Sequence, residues 1–101
     1  MGYEYQANVA TASGPTLASV VDLLRSAKLC EIESQDGSKA LLRWAGFPRR
    51  EDWPEDIMLS YSKDSVYVVF YSGPRLQEER FLRAVQNAFD AKGLTTSFES
   101  L

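Results

Sequence analysis

Cys30 is the only cysteine of the chain, and it lies in the stretch Leu29-Cys30-Glu31-Ile32-Glu33, where a thiol and two carboxylates come together. A nucleophilic cysteine needs a cationic neighbourhood that favours its thiolate, and flanking carboxylates do the opposite by raising the thiol pKa. Cys30 is therefore expected to be a buried structural side chain, as free cysteines usually are. Glu31 and Glu33 project from one face of an extended segment and could in principle share a proton as an acid dyad does. A solvated outer face of an edge strand explains them more simply. Histidine is absent, which removes the usual general base, the Ser-His and Cys-His nucleophile pairs and the commonest transition-metal ligand. One cysteine cannot build a zinc site, and no run of regularly spaced acids suggests a calcium loop. Gly73-Pro74, ahead of a helix, lacks the Gly-rich repeat and the Lys-Ser/Thr of a phosphate-cradling turn. No catalytic residue, cofactor or metal is expected. The alternative is an enzyme without histidine that works through carboxylate, arginine and tyrosine.

The residues suited to recognition are concentrated in Gly46-Phe47-Pro48-Arg49-Arg50-Glu51-Asp52-Trp53-Pro54-Glu55-Asp56. This long connection combines large aromatics, arginines and acids. Trp, Tyr and Arg dominate interface hot spots, and long ordered loops on rigid scaffolds often carry function. The candidate partner-binding residues are Phe47, Arg49, Arg50, Glu51, Asp52, Trp53, Glu55 and Asp56. The competing role is that Phe47 and Trp53 fold back to cap the sheet. Trp44 shares a strand face with Ala40 and Leu42 and is expected in the core, with Arg43 on the other face near Tyr61 or Tyr67. The run Tyr67-Val68-Val69-Phe70-Tyr71 invites comparison with RNA-binding sheets but lacks their basic-Gly-aromatic start. Val66, Val68 and Phe70 read as core, which leaves Tyr67, Val69 and Tyr71 for a partly open sheet face.

The elements that must position these residues follow from periodicity. Tyr3, Tyr5, Ala7 and Val9 alternate with Glu4, Gln6 and Asn8 as in a half-buried strand. Leu17, Val20, Val21, Leu24 and Ala27 line one helical face, which predicts a helix over 16–28 with Thr16 as N-cap. Strands over 29–33 and 40–45 are joined through Asp36-Gly37, which suits a tight hairpin turn. A second hairpin pairs 57–62 with the apolar run 66–71, read as the central strand. Pro74 suits the first turn of a second helix that ends at Lys92-Gly93, with Phe81, Leu82, Val85, Ala88 and Phe89 buried and Glu78 and Glu79 on the wet side of its N-terminal end. A final strand is expected over 94–99. The order β-α-β-β-β-β-α-β predicts an α+β fold: a two-layer sandwich of a mostly antiparallel sheet of about six strands with two helices on one face. The second helix would cross over between neighbouring or near-neighbouring parallel strands.

The chain has 101 residues, 45% of them hydrophobic, and a net charge of −3, which fits one globular domain. The acidic balance disfavours nucleic acid, whose phosphates need a concentrated basic face, and allows a basic protein partner. Without a signal core, a long apolar run or a possible disulfide, the expected setting is cytoplasmic and free of membrane.

The segment from the hairpin Ile57-Met58-Leu59-Ser60-Tyr61 and Val66-Tyr67-Val68-Val69-Phe70-Tyr71-Ser72-Gly73 into the helix with Phe81-Leu82 and on to Gly93-Leu94 resembles the small bacterial immunity proteins of polymorphic and contact-dependent toxin systems. The resemblance covers mainly 57–101 and transfers no binding residue. It implies a stoichiometric inhibitor that blocks a toxin domain by charge and shape complementarity, with electrostatically steered association. The chain would be a monomer in that case. It would be a homodimer if it served instead as a secretion chaperone or adaptor.

Overall fold

A computed structural model describes residues 3–47 and 55–101. Among these residues, six strands and two helices follow in the order β1 (Tyr3–Asn8), α1 (Leu17–Ser26), β2 (Cys30–Gln35), β3 (Lys39–Trp44), β4 (Ile57–Tyr61), β5 (Ser65–Phe70), α2 (Arg75–Asp90) and β6 (Glu99–Ser100), with a 3-10 turn at Thr11–Ser13. The strands form one sheet in the order β2-β3-β4-β5-β1-β6, and every adjacent pair is antiparallel. This is the α+β two-layer arrangement expected from the sequence.

Consecutive strands from β2 to β5 are neighbours, with tight turns between β2 and β3 and between β4 and β5 and the long 46–56 connection between β3 and β4, whereas both helices serve as crossovers. β1 and β2 run parallel with three strands between them, so α1 carries the chain across most of the sheet. β5 and β6 run parallel on either side of β1, and α2 makes that shorter crossing. The core lies between the helices and one sheet face. Val66, Val68 and Phe70 of β5, Ile57 and Leu59 of β4, and Ala40, Leu42 and Trp44 of β3 meet Leu17, Val20, Val21 and Leu24 of α1 and Phe81, Val85 and Phe89 of α2. Trp44 stacks on Phe70 at 5.9 Å, and Phe81 stands edge-on to both rings. Such pairs add to the burial of large apolar area. The indole Nε1–H donates to the Ser72 carbonyl at 2.6 Å, which satisfies the one polar atom this ring buries. Gly73 follows with φ +130°, and a Cβ there would run into that indole, so glycine is required where the chain leaves β5 for α2.

Local signals set the element ends. The Thr16 side chain accepts from the Ser19 amide at 3.1 Å as N-cap of α1. Asp36 accepts from the Ser38 and Lys39 amides in the β2–β3 turn, each at 2.8 Å, and those bonds hold its carboxyl below the usual range.

Two expectations require correction. The last strand does not occupy 94–99; only Glu99 and Ser100 pair with β1. Leu94 and Phe98 are packed on the core instead, and Gln86 of α2 holds the Thr96 carbonyl. Leu94, Thr96 and Phe98 keep the inward alternation that suggested a strand, but the segment has no strand partner before Glu99. Glu78 is not on the wet side of α2: it is only 6% exposed. It sits three and seven residues before Phe81 and Val85, so helical periodicity puts it on the inward stripe.

Candidate functional site

Among the described residues, the sheet has two very different faces. The register places Glu4, Gln6, Leu41, Arg43, Met58, Ser60, Tyr67, Val69 and Glu99 opposite the helical layer, because residues facing each other across strands share a side. Leu41, Met58 and Val69 form a row across β3, β4 and β5. Val69 is 8% exposed yet stands outside the core cluster, and Leu41 and Met58 are half-buried without packing on it. The row is therefore a separate apolar stripe.

Polar groups frame the stripe. Tyr67 donates its hydroxyl to the Glu4 carboxylate across β1 and β5. Burial raises the Tyr71 hydroxyl pKa, and the nearby Glu55 and Glu4 charges add to the shift. At the β2 edge, the Arg43 guanidinium lies 3.1 Å from Glu33 and 3.8 Å from Glu31, although its Nε is not aligned to donate a hydrogen bond. The two glutamates thus share a cation. A bulge between Ile32 and Ser34 interrupts this edge strand. Tyr61, by contrast, faces the core near Phe89 and donates to the Pro15 carbonyl at 3.1 Å, so it is not a neighbour of Arg43.

The connection 46–56 leaves β3 and returns to β4. Of its candidate residues, Arg49, Arg50, Glu51, Asp52 and Trp53 lie outside the described residues. Phe47 is 42% exposed at the leaving end, and Glu55 is half-buried at the returning end. Asp56 is built into the sheet. Its amide donates to the Leu42 carbonyl and its own carbonyl accepts from the Tyr71 amide, both at 2.8 Å. Its carboxylate accepts from the Trp44 amide at 3.1 Å and the Ser72 hydroxyl at 2.7 Å. One residue thereby ties together the ends of β3, β4 and β5, and its carboxylate serves the fold before it can serve a partner. No local pattern announces this role, because the carboxylate's partners are 12 and 16 residues away.

An open depression of about 830 Å³ lies between the C-terminal end of α1 and the ends of β2 and β3, lined by Asp22, Arg25, Lys28, Cys30, Glu31 and Gly46. Its charges are of both signs, with Asp22 and Arg25 3.8 Å apart. Burial pushes the Cys30 thiol up to about 12, with the Asp56 charge adding to the shift, so the thiol is not poised as a nucleophile. Among the described residues, no group of three or more Cys, Asp or Glu converges as a metal site would need, and no helix is long and apolar enough to cross a membrane.

Comparison with family models, with curated proteins and with solved structures gives no match for this chain.

Proposed function

We propose that the protein is a small binding module of the immunity type, which neutralises a partner toxin by occluding it and acts through the 46–56 connection. The observation that supports this reading is the clasp at Asp56. Hydrogen bonds to Leu42, Trp44, Tyr71 and Ser72 fix the returning end of the connection to three strands, while Phe47 stands exposed at its start. A recognition loop needs such a scaffold, because ordering a loose loop on binding costs about 0.5–1.5 kcal/mol for each immobilised side chain. Phe47, Arg49, Arg50, Glu51, Asp52, Trp53 and Glu55 are then the contacts, with Trp53 as the anchor and the carboxylates meeting a basic toxin domain in the cytoplasm.

The test is affinity capture of the tagged chain from lysate of its source organism, followed by Trp53→Ala. The expected result is one equimolar toxin-like protein whose affinity falls about 30-fold or more on the substitution, the loss of about 2 kcal/mol typical of a hot spot, with the unfolding midpoint unchanged. A midpoint lowered by several degrees together with the affinity would make Trp53 a core residue instead. An empty capture with folded bait would remove the inhibitor reading.

A further inference from the structure

The helix-free face has a charge balance that selects its occupant. Around the stripe of Leu41, Met58 and Val69 stand Glu4, Glu31, Glu33 and Glu99, and Glu55 lies close enough to act on Tyr71. Among the described residues, these five carboxylates face two cations, Lys39 and Arg43, an acidic excess on this side of the sheet. The cations are not available to a ligand on equal terms, because Arg43 is held between Glu31 and Glu33. Two copies of this face would oppose like charges, which disfavours a face-to-face dimer. A nucleic acid would meet the same repulsion.

We infer that this face is a docking surface for a protein partner that presents lysine or arginine around a protruding aliphatic or aromatic side chain. The inference rests on the binding reading above and assigns it a second contact surface. The apolar side chain would seat on Leu41, Met58 and Val69, where desolvation gives affinity. The cations would pair with Glu4 and Glu99 on one flank and approach Glu31 and Glu33 on the other, where charge gives register and speed of encounter. A six-stranded sheet of strands this short offers roughly 500 Å² on one face, from a strand spacing of about 4.8 Å and a rise of about 3.4 Å per residue. That is below the roughly 800 Å² per partner of a standard interface and places this contact in the range of weak, transient ones.

The experiment maps amide shifts of the uniformly ¹⁵N-labelled full chain during titration with a synthetic peptide of alternating lysine and leucine, and with its glutamate–leucine counterpart. The expected result is saturable shifts centred on Leu41, Met58, Tyr67 and Val69 with the lysine peptide alone. Its Kd should weaken about fivefold or more between 0.05 and 0.3 M salt. The double variant Glu4→Lys/Glu99→Lys, at exposed positions that leave the core untouched, should weaken it about tenfold. Equal binding of the glutamate peptide, shifts confined to the helical side, or no saturable shift would overturn the inference. The two readings fail separately. An empty lysate capture beside a saturable lysine-peptide titration removes the inhibitor and keeps the face. A captured partner that Trp53→Ala releases but Glu4→Lys/Glu99→Lys does not removes the face and keeps the inhibitor.

Discussion

Cys30 shows how much one side chain's environment can differ from its sequence neighbourhood. Flanking carboxylates already predicted an unreactive thiol, but the larger cause of its raised pKa is burial, with Asp56 and not Glu31 or Glu33 adding the charge effect. The raised value has a consequence for stability. An unfolded chain ionises this thiol near the ordinary 9.0, whereas the folded chain keeps the proton up to about 12. Above pH 9 the unfolded state therefore binds fewer protons, so the contribution present below pH 9 is lost as pH rises towards 12, at up to about 1.4 kcal/mol per pH unit. Between pH 9 and 10 the wild type should lose about 1 kcal/mol more than Cys30→Ala, in urea unfolding followed at both pH values. Burial also raises Tyr61 and Tyr71; these act above their ordinary value of 10.0 and are common to both chains, so the comparison isolates the thiol. Parallel slopes would show that Cys30 meets solvent.

The elements were legible where periodicity and local turn chemistry agree. Thr16 with its apolar face specified α1, Asp36-Gly37 specified the β2–β3 turn, and the apolar run before Ser72-Gly73-Pro74 specified an interior strand followed by a helix. Legibility failed where long-range packing decides. Leu94 and Phe98 dock as a loop, Glu78 enters the buried stripe of α2, and Asp56 ties three strand ends that the sequence separates. Of the candidate site, Phe47 is exposed, whereas the Asp56 carboxylate is bonded within the sheet, to partners so distant in the chain that they leave no trace in its sequence neighbours. The two ends of the connection should accordingly respond differently. Asp56→Ala abandons the Trp44 amide and the Ser72 hydroxyl in a partly buried place and should cost about 2–4 kcal/mol. Phe47→Ala, at an exposed position, should stay within about 0.5 kcal/mol. Denaturant midpoints of both variants check this, and equal losses would mean that Phe47 caps the core.

For the whole molecule, the decisive asymmetry is between a sheet face filled by two helices and a face left with an apolar stripe inside a ring of carboxylates. The helical side accounts for the single core. The other side carries an acidic excess among the described residues, so the association state depends on whether its repulsion or its apolar centre dominates. Repulsion between like faces weakens as salt shortens the screening length from about 14 Å at 0.05 M to about 4 Å at 0.5 M, whereas apolar attraction does not weaken with it. The stripe contributes three side chains that are already half-buried or better, too little new apolar area for a stable dimer of ordinary size. Sedimentation velocity at about 100 μM should thus return a species of 11.3 kDa at both salt concentrations. A dimer that appears only in high salt would mean that the acidic ring is what keeps copies apart, and a dimer at both would favour the homodimeric adaptor over the monomeric inhibitor. Charge reversal at Glu4 and Glu99 separates the first case from the second, since it would promote association at low salt only if the faces themselves meet.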